Sequence, residues 1–330
     1  MLKYILKRLA LSVFILLGVS LIIYILIRCM PGSFIDDKIA QMNQGGATIP
    51  QETIDNMKKL YGLEDDSFLG ILKGYGSWLL SMLRLDFGKS FKYGDNVVNV
   101  IKDHMFISFA VSLIATFFEF MIAIPLGITA ATHQYSIRDY VVTVLVMIGI
   151  SLPTFFFGQM LKDLFAMKLG WFPPSGLIDA SVDYTGIAKL WDYFRHLFIP
   201  ILTVVILSIG GRMRMTRTNM LEVLNSDYIR TARAKGLKEK TVIYKHAFRN
   251  TLIPLVTSLA GLLPSLFSGA MITEQVFDLP GIGNVAYNAM IAGDIPFIMG
   301  YNMFLALLSV IGVLLADLMY AVVDPRVKLQ

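Results

Sequence analysis

Leu197-Phe198-Ile199-Pro200-Ile201-Leu202-Thr203-Val204-Val205-Ile206-Leu207-Ser208-Ile209-Gly210-Gly211 is a run of 15 residues without a charge, and how it is read decides the fold. A helix rises about 1.5 Å per residue, so crossing about 30 Å of hydrocarbon takes about 20 residues. This run is shorter and carries Pro200, and on its own it fits a re-entrant or buried core helix as well as a crossing one. The segment that follows it resolves the choice. Residues 212–250 hold 10 Lys/Arg against 3 Asp/Glu, and short basic loops stay on the cytoplasmic side. A crossing at 197–211 places those charges inside. Without it they share a side with 162–196.

The other uncharged runs are longer. Leu9 to Ile27 is 19 residues and follows Lys3, Lys7 and Arg8. It is too long for the apolar part of a signal peptide, and Arg28-Cys29-Met30-Pro31 is no small-residue cleavage site, so an uncleaved first span is expected. Met105 to Thr132 is 28 residues broken only by Glu119, Tyr140 to Leu161 is 22, and Thr251 to Thr273 is 23. Ile295 to Ala316 is 22 residues, followed by Asp317. With six spans and the N-terminus inside, the cytoplasmic pieces 1–8, 133–139, 212–250 and 324–330 carry +11 and the exterior pieces −4. Glu119 and Asp317 supply the remaining −2 of a net charge of +5. The expected fold is an all-α membrane protein with six transmembrane helices and both termini cytoplasmic. Its parts are a first span over 1–27, an extracytoplasmic helical segment over 28–104, and a five-helix core over 105–330.

Composition agrees. The 330 residues are 55% hydrophobic and 16% charged, where soluble domains are about 45–50% apolar and about 25% charged. A simple cytosolic enzyme, a disordered chain and a fibrous protein are excluded. The single cysteine, Cys29, excludes an internal disulfide and a cysteine-based zinc site. His104, His133, His196 and His246 form no pair at metal-ligand spacing, so no metal site is expected.

Between the spans, Ile49-Pro50 with Glu52 reads as a helix start and Gly62 as its stop, with Ile54, Met57 and Tyr61 on one face. A second amphipathic helix is expected from Phe68 to Leu83, with Phe68, Ile71, Leu72, Tyr75 and Leu79 at helical spacing. The whole segment 28–104 is expected to pack on the outer mouth of the bundle, the alternative being a linker with two surface helices. Trp171-Phe172-Pro173-Pro174 suits an aromatic belt at a span end.

Several apparent motifs fail on context. Phe87-Gly88-Lys89-Ser90 ends like a phosphate-binding loop, but position 83 is Leu where the earlier glycine is needed. Asp86-Phe87-Gly88 has no kinase residues around it, and Gly281-Ile282-Gly283 lacks the third glycine of a dinucleotide site. No catalytic residues are expected. Glu119 and Asp317 are candidate intramembrane polar or translocation-path residues, because an ionisable group within a span is costly and faces protein or water. The alternatives are a proton or ion relay and a structural carboxylate that is paired across helices or wetted near an interface, the last fitting Asp317 a turn or two from the cytoplasmic end.

The basic loop 212–250 has three candidate partners: anionic lipid, nucleic acid and a soluble protein. Nucleic acid is set aside because no groove-reading fold is present. Asn225-Ser226-Asp227 reads as a helix N-cap, Tyr228 to Lys235 as two turns, and Gly236 as the stop. A second helix from about Lys238 to Arg249 leads into the span near Thr251. Ala232 and Ala234 leave part of the first helix thin for another backbone, and Arg230, Arg233 and Lys235 offer charge. A lipid-binding helix would carry a row of large apolar residues, and only Tyr228 and Ile229 are present. Protein docking is favoured.

Asp227-Tyr228-Ile229-Arg230-Thr231-Ala232-Arg233-Ala234-Lys235-Gly236-Leu237, followed by His246-Ala247-Phe248-Arg249-Asn250-Thr251-Leu252-Ile253-Pro254, resembles the EAA loop of ABC-importer permeases. More narrowly it resembles the B-type permease of the oligopeptide/dipeptide/nickel group. Arg230-Thr231-Ala232 stands where the general pattern has Glu-Ala-Ala. Further matches are Leu17-Gly18-Val19-Ser20, Pro31-Gly32, Tyr61-Gly62-Leu63, Phe277-Asp278-Leu279-Pro280-Gly281-Ile282-Gly283 and Asp324-Pro325-Arg326. Arg84-Leu85-Asp86-Phe87-Gly88 departs from the group's usual Gly-Asp-Leu-Gly.

The resemblance implies a type I ABC-importer permease in a bacterial or archaeal cytoplasmic membrane. It implies pairing with a second permease subunit, docking by two cytosolic ATPases on Asp227, Tyr228, Arg230, Thr231, Ala232, Arg233, Ala234, Lys235 and Gly236, and an extracytoplasmic substrate-binding protein. ATP and Mg would be bound by the ATPases and no cofactor by this chain. Peptides lead as substrate, with nickel chelate, glutathione or sugar as alternatives within the same architecture. The distant alternative is a proton-coupled secondary transporter using Glu119.

Overall fold

A computed structural model describes residues 2–28, 67–259 and 261–323. The helix expected between Pro50 and Gly62 and the tail Asp324-Pro325-Arg326 lie outside the described residues. The helices are α1 (Leu2–Arg28), α2 (Phe68–Leu83), α3 (Val97–Thr132), α4 (Ile137–Ser151), α5 (Thr154–Lys162) and α6 (Gly186–Leu224). They continue as α7 (Asp227–Ala234), α8 (Arg249–Leu259), α9 (Leu262–Ser268), α10 (Met271–Val276), α11 (Ile282–Ile291) and α12 (Ile295–Val323). Asp163–Lys168 and Val242–Phe248 are π-helical. Among the described residues the only extended pairing is an isolated bridge between Lys89 and Asn96.

Among the described residues, four helical stretches are long and apolar enough to cross a membrane: Lys7–Leu26, Val97–Thr132, Gly186–Leu224 and Ile295–Asp317. The ambiguous run 197–211 is thus the middle of a 39-residue helix, about 58 Å long. Two expected spans are not straight helices. The run 140–161 breaks at Leu152, which is extended at φ −87° and ψ 130°. A residue before proline is pushed out of the helical region, and Pro153 follows. The halves Ile137–Ser151 and Thr154–Lys168 bend by 98°, and counting them as one span makes five. The run 251–273 divides into α8, α9 and α10. Gly261 and Gly269 stand at the breaks, and Gly269 adopts φ +74°, which a residue with a Cβ rarely tolerates.

The chain forms two compact units. One comprises residues 1–104 with 285–310. In it Ser67 Oγ caps α2 by accepting from Gly70 N at 3.1 Å. Trp78 on α2 packs with Tyr24 on α1 and Ile295, Met299 and Met303 on α12. Tyr75 donates to Leu17 O at 3.2 Å and bonds Ser20 Oγ at 2.8 Å. Those partners lie midway along α1, so α2 runs beside that helix and does not sit only at its end. The boundaries expected for α2 hold, but its inward face is Ile71, Tyr75 and Trp78, and Leu72 is exposed. Asp294 starts α12 by accepting from Phe297 N at 3.2 Å, and it also holds Ser90 Oγ at 2.5 Å.

The other unit comprises residues 105–284 with 311–330, and α6 is its axis. A Cβ added at Gly127 on α3 would lie 2.7 Å from Thr216 Cβ, so the two helices cross with their backbones close. α4 runs antiparallel to α6: its start is tied to Arg217 through Asp139, and its end lies with Gly149 against Ile206 and Ile150 against Gly210. Val111, Phe157, Leu161, Ile199, Phe277 and Leu279 close a second apolar cluster. Phe172 of the expected aromatic belt stacks on Phe198 at 4.6 Å, whereas Trp171 is exposed.

Candidate functional site

The α7 helix follows α6 after a two-residue turn at Asn225 and Ser226. Ser226 has the extended backbone of an N-cap, but its hydroxyl donates to Val223 O and does not accept from the new helix. Asn225 likewise reaches back to Leu221 O at 2.9 Å. The side-chain cap expected from this cluster is therefore not formed. The negative side chain of Asp227 in the first turn remains to complement the helix dipole. At the other end Gly236 turns the chain at φ +74° and donates to Arg233 O at 2.9 Å, as the glycine stop requires.

Two inward residues, three apart, hold α7 in place. Ile229 is fully buried and Ala232 is 7% exposed. They pack with Ile128 and Ala131 of α3, Met220 of α6, and Val242 and Ala247 of the π-helical segment. The reading of Ala232 as free for another protein's backbone is corrected by this packing. Its small side chain admits the chain's own helices. Ala234, by contrast, is exposed.

The outer face of α7 presents Asp227, Tyr228, Arg230, Thr231, Arg233, Ala234, Lys235 and Gly236. Arg230 lies 3.6 Å from Asp227 within the helix. Arg233 forms a fork on Glu239, with bonds of 2.7 and 3.2 Å. Hydrogen bonding from Arg233 lowers the Glu239 carboxyl below its ordinary range, and the same bond raises the Arg233 guanidinium. Beyond Gly236, the turn Glu239–Thr241, the π segment and α8 follow one another without a non-helical residue. A displacement of α7 thus has a helical route into the run that begins near Thr251.

Glu119 is 9% exposed and paired. Arg212 Nε donates to Glu119 Oε1 at 3.0 Å, and its Nη1 donates to Ser258 Oγ at 2.7 Å. The guanidinium also lies 4.3 Å from the centre of the Phe120 ring. One arginine therefore ties α3, α6 and α8 together. Arg212 reads from sequence as the first residue of the basic loop, whereas it lies within α6. Asp317 is half-buried on α12, six residues before its end.

Two polar constellations escaped the sequence. Asp139 accepts Arg217 Nε at 2.9 Å and Nη2 at 2.8 Å. Glu274, 1% exposed, accepts Ser108 Oγ at 2.6 Å and Asn284 N at 2.9 Å, while Ile282 N donates to Ser108 Oγ at 2.8 Å. Cβ atoms at Gly269, Gly281 and Gly283 would each collide with the Glu274 carboxylate. The rejected Gly281-Ile282-Gly283 motif is thus a close-packing device around a buried carboxylate. The available signal was the placement of Gly281 and Gly283 beside an acid in a segment, 274–294, that has three Asp/Glu and no Lys/Arg.

Four long apolar helices among the described residues and an amphipathic helix with a basic outer face are the build of a membrane protein. Residues 123–329 match the family of binding-protein-dependent transport system inner membrane components. The chain is 35% identical to the oligopeptide transport system permease protein AppB of Bacillus subtilis (strain 168), over 99% of this chain and 100% of that one. It is 32% identical to the dipeptide transport system permease protein DppB of Alkalihalophilus pseudofirmus, over 99% and 100%. The MetNI methionine ABC transporter, solved in inward-facing conformations, shares the fold at a TM-score of 0.53 and 16% identity, covering 69% of this chain and 97% of that one. The chain belongs to this family: it is a multi-pass inner-membrane permease subunit of an ABC importer.

Proposed function

We propose that this subunit forms half of a peptide-translocation path and is driven by cytosolic ATPases that seat α7. The carrying observation is the two-sided build of α7. Ile229 and Ala232 fasten it to its own chain, while Tyr228, Arg230, Arg233, Ala234 and Lys235 face outward. A helix of 8 residues, about 12 Å long, suits a groove on a partner better than an independent activity. A bound nucleotide shifts such an equilibrium only by its differential affinity for two states. ATP and Mg on the ATPases would therefore hold α7 differently from the empty form, and the helical route through Val242–Phe248 would tilt α8.

The rest of the assembly follows from this reading. The chain crosses six times with both termini inside, the broken segments 137–168 and 249–276 each serving as one crossing. A second permease subunit completes the path, and an extracytoplasmic binding protein delivers substrate. Peptides are proposed as that substrate because relatives matching nearly the full length are named as oligopeptide and dipeptide permeases. The Arg212 bond argues for a structural Glu119 paired between α3 and α6 and against a free proton site. Charge reversal at Arg230 and Arg233 in reconstituted vesicles is expected to leave ATP hydrolysis running while transport falls. Unchanged coupling of hydrolysis to transport would overturn the proposal.

A further inference from the structure

Between α4 and α6 lies a groove of about 320 Å³. Its lining is mostly apolar, with Val146, Met147 and Ile150 on α4 and Met213 on α6, joined by the hydroxyls of Thr143 and Ser151 and by Arg214 and Arg217. The two ends are chemically different. At the apolar end Ile150 sits over Gly210, close enough that a Cβ there would collide with it. At the polar end Arg217 is fixed by its two bonds to Asp139. Arg214, three residues away on the same helix, is exposed and makes no hydrogen bond or ion pair among the described residues.

We infer that this groove binds an anionic phospholipid of the leaflet on the side of the 212–250 loop. An acyl chain lies along Val146, Met147 and Ile150, and the phosphate meets Arg214. Charge decides the occupant. The carboxylate of Asp139 neutralises Arg217, which leaves the uncompensated cation of Arg214 beside a largely apolar slot. A soluble anion would use the cation and leave the slot empty. A zwitterionic lipid would fill the slot but bring its own positive group to Arg214. Basic residues at such margins attract anionic headgroups, and one charge corresponds to roughly a fivefold change in binding. The groove is distinct from the outer face of α7, and this inference does not depend on ATPase docking.

The test uses the full chain in nanodiscs of phosphatidylcholine containing a minor fraction of phosphatidylglycerol, with native mass spectrometry of the lipids retained after transfer to detergent. The wild type is expected to retain phosphatidylglycerol in preference to phosphatidylcholine. Arg214→Gln should weaken that preference roughly fivefold, and Val146→Phe, which fills the slot, should reduce retention of both lipids. Lys189→Gln, a charge removal elsewhere on α6, should do neither. Equal retention by Arg214→Gln and the wild type would overturn the inference. So would displacement of the lipid by inorganic phosphate alone, or a preference for phosphatidylcholine. Circular dichroism and size exclusion identify a variant that fails to fold, in which case Arg214→Lys, which keeps the charge, should retain the preference.

Discussion

Replacing Ile229 by alanine removes the main anchor of α7. The side chain is fully buried among Ile128, Ala131, Met220, Val242 and Ala247. Truncating a buried isoleucine to alanine costs about 2–5 kcal/mol, combining lost transfer free energy with the cavity left behind. The cluster is lined by six other buried side chains from α3, α6, α7 itself and the π segment, so it has little room to collapse. A value of about 3 kcal/mol is therefore expected, roughly a hundredfold in the ratio of docked to undocked helix. Only Ala232 would remain as an inward contact, so the loss falls on α7 alone. Native-state hydrogen exchange on the full chain reads this directly, because amides open locally with their own free energies. Exchange over residues 227–236 should quicken roughly a hundredfold, with α3 and the middle of α6 unchanged. Tyr228→Ala, on the outer face, should leave it alone. Exchange over 227–236 less than about fivefold faster, or quickening spread evenly through α3 and α6, would show that Ile229 is not the anchor of α7.

Other consequences follow from the polar contacts. Glu119→Gln leaves Arg212 buried without its counter-charge and should destabilise by about 3 kcal/mol, whereas Glu119→Leu with Arg212→Met together should cost less than either single change; thermal unfolding in detergent ranks the three. Gly281→Ala drives a methyl against the Glu274 carboxylate and Ser108 and should cost about 1–3 kcal/mol by overpacking, read in the same melts. Glu239→Gln should alter stability by less than about 1 kcal/mol because its pair with Arg233 is exposed. Arg233 lowers the Glu239 carboxyl, so the pair's contribution is present above the ordinary glutamate range and lost as pH falls through the lowered value; melts of wild type and variant should differ near neutrality and converge in acid.

Much of the fold was legible because lipid imposes a simple rule: long uncharged runs become helices. Leu9–Ile27, Met105–Thr132 and Ile295–Ala316 all lie within single helices. The 15-residue run at 197 was settled by the charge of the segment beyond it, and α6 proved longer than the run because charged residues such as Arg212 and Arg217 find carboxylates across the bundle. Pairing of that kind is invisible in one sequence: Glu119 and Arg212 stand 93 positions apart. The breaks at Pro153, Gly261 and Gly269 were written as residues but not as angles, since proline and glycine also occur in continuous membrane helices.

At the candidate site the helix, its glycine stop and its charged residues were all readable. Which side of α7 faces inward was not. The stripe of Ile229 and Ala232 shows only when α3 and the π segment are placed beside it. The same holds for Glu274, whose function as a packing centre depends on three glycines folding over it.

In the proposed coupling, α7 meets an ATPase with its outer face. Single cysteines introduced at Tyr228, Ala234 and, as a control at the far end of α6, Ile187, in a chain carrying Cys29→Ser, test this in the intact transporter. A short thiol-reactive cross-linker is expected to join positions 228 and 234 to the ATPase subunit, with a yield that changes when ATP is bound, and to leave position 187 unjoined. Absence of ATPase adducts at both α7 positions, or equal adducts from position 187, would contradict it.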